Sequence, residues 1–106
     1  MNNIRLQELY NSSTYRGTIQ MELLRYINYQ ISINYAGMTD EYKAKFITLE
    51  KSVFRNLDVI TDKLSKIIIG DPAVLALNCY HEFTDEIAKQ VIGYIVQNQI
   101  DKLIDS

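Results

Sequence analysis

The chain of 106 residues is poor in the residues that carry most recognisable chemistry: one cysteine, one histidine, one proline, four glycines and no tryptophan. A lone Cys79 can form no intramolecular disulfide and cannot supply a cysteine-based zinc site. The four glycines are scattered, so no glycine-rich phosphate loop or nucleophile elbow can be built. Eleven basic residues against thirteen acidic ones leave a net charge of -2 with no basic block. Phosphate backbones are held by clustered cations, so a nucleic-acid partner is not expected. No apolar run approaches the roughly 20 residues that span a bilayer, and Met1, Asn2, Asn3, Ile4 and Arg5 form no apolar leader. Cytoplasmic synthesis, with no membrane partner, is the expectation.

What is present is helix. Hydrophobic residues make up 47% and charged residues 23%, the balance of an ordinary globular chain of one domain. The longest uninterrupted pattern covers residues 13–35, where Tyr15, Ile19, Leu23, Ile27, Ile31 and Tyr35 recur in four-residue steps on one side of a helix. Leu24, Tyr26 and Ile33 widen that stripe, predicting a central helix covered on more than one side. A short amphipathic helix is expected before it at residues 3–11, with Ser12 or Ser13 as the N-cap of the long helix. Gly17 falls in its first turn, where a glycine costs about 1 kcal/mol relative to alanine, which suggests that something passes close by.

Ala36, Gly37 and Met38 end that helix, with Gly37 placed for a left-handed cap. Thr39 then caps the next, Asp40 and Glu41 complement its dipole, and Tyr42, Phe46, Leu49 and Val53 mark its buried side. The pattern changes phase near Asn56, a cap for a further helix with Leu57, Ile60, Leu64, Ile67 and Ile68 inward. Gly70 closes it, and Asp71 with Pro72 opens a short apolar helix. Thr84, Asp85 and Glu86 repeat the capping chemistry of Thr39 to open the last helix. That helix carries apolar residues from Ile87 through Ile95, which the core can absorb. Ile100, Leu103 and Ile104 extend the stripe and are the residues expected to remain uncovered, as a contact with another chain. The fold class predicted is all-α, a single-domain bundle of five or six helices, with its core made by the long helix, the Thr39 helix and the last one.

Candidate chemistry is sparse. Cys79 and His81 lie two residues apart and on a helix point to different sides, so a nucleophile and base pair is disfavoured against a small buried thiol and a histidine near a helix end. His81 and Glu82 are too few to hold a metal. Asp40, Glu41, Asp85 and Glu86 are accounted for by capping, and Asp58 and Asp62, followed by Lys63 and Lys66, read as a solvated face. The eight tyrosines suit core and rim positions, where ring and hydroxyl are satisfied separately. No catalytic residue, cofactor or metal is expected.

Tyr15, Arg16 and Gly17 opening a long helix, Gly70, Asp71, Pro72, Ala73 and Val74 at a turn, and Thr84, Asp85, Glu86 and Ile87 opening the final helix together resemble small all-helical structural proteins of tailed bacteriophages. The likeness covers roughly residues 15–96. It implies a non-enzymatic virion component or assembly factor that self-associates or docks on head, connector or tail proteins, made in the cytoplasm and, in the first case, incorporated into a virion. In that setting Tyr15, Arg16 and Gly17 are candidate interaction residues beside Ile100, Leu103 and Ile104, since arginine's planar donors suit interfaces and a glycine lets a backbone approach. The plainer alternative for Arg16 is a pairing with a nearby acid such as Glu8. A second functional class is a cytoplasmic helical-bundle immunity or inhibitor protein, similar in size and charge to bacteriocin immunity proteins, which sequesters its partner as a stable monomer.

Overall fold

The computed structural model describes residues 13–77 and 84–104. The expected short helix at residues 3–11, the cap at Ser12 and the pair Cys79 and His81 lie outside the described residues. Among the described residues there are five helices and no strand. They are α1 (Ser13–Tyr29), continued by a π-helical turn Gln30–Asn34 and a 3-10 turn Tyr35–Gly37, then α2 (Asp40–Arg55), α3 (Leu57–Gly70), α4 (Pro72–Leu77) and α5 (Asp85–Ile104). The all-α bundle read from the periodicity is the observed architecture.

Side-chain caps set the helix boundaries. Thr39 Oγ1 accepts the Tyr42 N–H at 3.1 Å, and Asp40 and Glu41 occupy the first turn of α2 while Arg55 occupies its last. Asn56 serves two helices at once: its N–H donates to the Ser52 carbonyl at 2.9 Å, and its Oδ1 accepts the Val59 N–H at 3.2 Å. Its backbone leaves the helical region (φ -156°, ψ 87°), so the phase change near residue 56 is a one-residue corner between two helices. Asp71 plays the same double part, donating to the Ile67 carbonyl at 2.9 Å and accepting the N–H groups of Ala73 and Val74 at 2.8 and 3.4 Å. Thr84 Oγ1 accepts the Ile87 N–H at 3.2 Å and starts α5.

One contiguous core joins α1 (Tyr15, Ile19, Leu23, Ile27), α2 (Phe46, Leu49, Val53), α3 (Ile60, Leu64, Ile68), Val74 of α4, and α5. The long first helix is not its centre. The helix packed against α1, α2, α3 and α4 alike is α5, which buries Ala88, Val91, Ile92, Ile95, Val96, Ile100 and Leu103. The expectation that Ile100 and Leu103 stay uncovered is therefore corrected: they are 5% and 0% exposed, and Ile104 is half-buried. Gln99 departs from helical geometry (φ -136°, ψ 29°), yet Ile100 and Leu103, four and seven residues after buried Val96, stay on the buried side and join the same core as Leu64 and Ile68. Lys63 Nζ donates to the Leu103 carbonyl at 3.1 Å and Lys45 bridges to Asp101 at 3.1 Å, fastening that end.

The other end of α1 departs from the prediction in the opposite sense. Its buried stripe runs as far as Ile27 and then breaks. In the π turn Gln30 occupies the inward place, while Ile31 and Ile33 turn outward at 40% and 63% exposure and Leu24 stands at 39%. A wider i to i+5 turn changes the angle at which each later side chain leaves the axis, so a four-residue sequence period no longer keeps to one face. Gly37 does not take a left-handed cap. The chain leaves through the 3-10 turn, with Met38 extended (φ -78°, ψ 150°) and its N–H donating to the Tyr35 carbonyl at 3.1 Å.

Candidate functional site

The residues singled out from the sequence are not gathered into one surface. Tyr15 is 3% exposed and belongs to the core with Ile100 and Leu103. Gly17 is exposed and a Cβ there would meet nothing within 4 Å among the described residues, so none of their backbones explains this glycine. Arg16 crosses from α1 to α3, where its Nη1 donates to Asp62 Oδ1 at 2.7 Å and its Nη2 lies 3.8 Å from Asp58 Oδ1. Gln20, one turn on, donates to the same Asp58 oxygen at 3.0 Å. Asp58 and Asp62 are thus not simply a solvated face. They are the acceptors of a polar clamp between two helices, and the pairing reading of Arg16 holds with these acids; Glu8 lies outside the described residues.

A different constellation appears on the other side of α1. Glu22, Arg25, Tyr26, Tyr29 and Gln30 line a pocket of about 430 Å3 that Lys89 of α5 closes from across the groove. This volume falls in the range of small-ligand sites, about 300–1,000 Å3. The helical period puts Glu22, Tyr26 and Gln30 on one edge, four residues apart. Packing then makes that edge unusual: the Glu22 side chain is 2% exposed, and one of its oxygens, Oε1, has no hydrogen-bond partner among the described residues. The other, Oε2, accepts from Arg25 Nη1 at 2.9 Å, and the Arg25 side chain is 63% exposed. Gln30 is buried and accepts from Asn34 at 3.3 Å, a bond made within the π turn.

The tyrosine ring at the back of the pocket is well anchored. Burial pushes the Tyr26 hydroxyl above its ordinary pKa, against hydrogen bonds with Gln97 and Tyr42 that lower it. Tyr42 donates to the Val96 carbonyl at 3.3 Å, and burial, reinforced by Tyr26, pushes its hydroxyl up to about 12. Both are therefore neutral donors at ordinary pH. Gly93 faces the Tyr26 ring, where a Cβ would sit 3.6 Å from the ring edge, an ordinary contact distance. Tyr29, in contrast, is 54% exposed and leads from the pocket to the outward-facing Ile33.

A buried carboxylate with an unused acceptor is costly, because ionised groups are retained in the interior only when solvated by partners. It is the feature that the sequence reading missed. The signal was available: Glu22 stands three residues after Ile19 and four before Tyr26, inside the apolar stripe, where a charged residue contradicts the pattern. The described residues hold no group of three or more histidine, cysteine or acidic side chains able to bind a metal, and no helix among them is long and apolar enough to cross a membrane. Searches of family models, curated proteins and solved structures found no match to this chain.

Proposed function

We propose that this is a non-enzymatic protein-interaction protein that docks through the exposed face of the second half of α1, and that its setting is a bacteriophage particle or its assembly. The observation that supports interaction is the distribution of exposed apolar side chains. Of the seven large ones among the described residues, five fall within residues 21–33: Met21 (51%), Leu24 (39%), Tyr29 (54%), Ile31 (40%) and Ile33 (63%). Scattered singly they would need no explanation, but a concentration on one segment marks an interaction surface. The phage setting rests on the resemblance of the Tyr15, Asp71 and Thr84 segments alone.

The mechanism is helix-face docking without chemistry. The interface belongs at residues 21–33 and not at the C-terminal end, because Ile100 and Leu103 are already used by the core. Light scattering after size exclusion, over a range of protein concentration, tests this directly. Wild-type chain should show mass above the monomer at high concentration, and Ile33→Glu should return it to a monomer with its helical circular dichroism unchanged. A wild-type monomer at all concentrations would reject self-association and favour the second functional class, a monomeric protein that sequesters a foreign partner.

A further inference from the structure

The Glu22 pocket opens beside the proposed docking face and shares Tyr29 with it. Interfaces draw most of their energy from a few anchoring side chains seated in such pockets, so its chemistry reports on what the partner presents. Three charges line it: Glu22, and the cations Arg25 and Lys89. Adding a cationic side chain would place a third positive group against a single carboxylate. An anion would suit the two cations but would face Glu22 and leave Oε1 without a donor. A neutral group with an O–H or N–H meets both demands. Tyr26 and Tyr29 supply ring surface for an aromatic body, and Arg25 and Lys89 can lie over the face of a bound ring.

We infer that the pocket bounded by Glu22, Arg25, Tyr26, Tyr29, Gln30 and Lys89 is an anchor site for a neutral aromatic side chain carrying a hydrogen-bond donor, a phenol or an indole, presented by the protein partner. The donor completes Glu22 Oε1, which is closed to solvent and has no partner among the described residues. Seating it therefore requires the Glu22 carboxylate to turn towards the pocket, with the exposed Arg25 side chain following. This inference rests on the interaction reading, and it narrows that reading from an apolar face to a recognisable residue type.

The test is an amide-resonance NMR titration of the full chain with three probes: indole, 1-methylindole and N-acetyl-tryptophanamide. Indole should give saturable shifts centred on residues 22–30 and on Lys89. 1-Methylindole has the same ring without the N–H, and should bind about tenfold more weakly, the usual worth of one hydrogen bond to a charged acceptor. Glu22→Met keeps length and removes the acceptor, and should erase the difference between the two. The wild-type comparison decides the point even if that variant folds poorly. Equal binding of the two indoles, shifts centred elsewhere, or no saturable shift within probe solubility would overturn the site. N-Acetyl-tryptophanamide should bind at least as well as indole if the ring arrives on a polypeptide. Its exclusion while indole binds would overturn the partner as source in favour of a free aromatic metabolite. Because these titrations use no partner, they fail independently of the light-scattering result: pocket binding can vanish while Ile33→Glu still alters the mass, and the reverse.

Discussion

The last turns of α5 and the last turns of α1 are built from similar material and come to opposite ends. Ile100, Leu103 and Ile104 in one, and Ile31 and Ile33 in the other, all continue an apolar stripe towards the end of a helical segment. In α5 the stripe passes a single non-helical residue, Gln99, and stays buried. In α1 a π turn at Gln30–Asn34 turns it outward. Both are small irregularities in the backbone ladder, but only the π turn breaks the sequence period. What differs is the neighbour. The end of α5 lies in the common core and is held by Lys45 and Lys63, whereas residues 28–36, the end of α1 and the turns after it, hold a single buried side chain, Gln30.

The sharpest way to break this comparison is to treat Leu103 as surface. Leu103→Ala should cost about 2–5 kcal/mol, the usual range for a truncated core leucine, read as a lower urea midpoint with an unchanged slope. A loss below 0.5 kcal/mol, roughly that of a surface change, would return the C-terminal end to the interface.

A pH effect probes the junction between α1, α2 and α5. The Tyr42 hydroxyl is raised from 10.0 to about 12 in the folded state, so folding favours its protonated form. The sign follows from linkage: that contribution is complete below pH 10 and is lost as pH rises from 10 towards 12. Tyr42→Phe should flatten the alkaline limb of a thermal-melt series, and should also lower the melt at neutral pH by the loss of the bond to Val96. An unchanged alkaline slope would mean that the Tyr42 hydroxyl is open to water and not buried between the helices. Asp71 behaves in the other direction, its carboxyl held below the usual range first by the Gln99 amide, then by the N–H groups of Ala73 and Val74 and by Lys102. Its contribution is present above pH 3.8 and fades on acidification.

Smaller effects sharpen the contrast. Gly93→Ala places a methyl at an ordinary contact distance from Tyr26 and removes a glycine from a helix interior, and should stabilise by about 0.5–1 kcal/mol. A destabilisation would mean that α1 and α5 pack more tightly there than the 3.6 Å contact implies. Ile33→Glu should change the melting temperature least of all, within about 0.5 kcal/mol, while altering association. A large loss of stability would show that Ile33 is covered by the chain itself.

Local structure was largely legible. Thr39, Asn56, Asp71 and Thr84 stand out as caps by side chain and position, and each accepts the expected backbone N–H groups. The buried sides of α2 and α3 follow from periodicity, because both are regular and have one apolar side. The candidate site was hardly legible. Its members are an acid, two bases, two tyrosines and an amide, ordinary on any helix surface, and only tertiary packing sets Lys89 of α5 beside the other five. Arg16 reads as an ion-pair partner from its chemistry alone, but which acid it meets depends on how α1 lies on α3.

The sequence by itself determined an all-α chain, the places where its helices start, and the side that α2 and α3 bury. These depend on interactions within about four residues, namely caps, dipoles and the helical repeat. Tertiary structure alone decided that α5 is the hub, that Ile100 and Leu103 turn in while Ile31 and Ile33 turn out, and that Glu22 is buried with an unused oxygen. Each of these depends on the angle at which one helix meets another. A residue or two of altered winding is enough to change that angle, and it leaves almost no trace in composition or period.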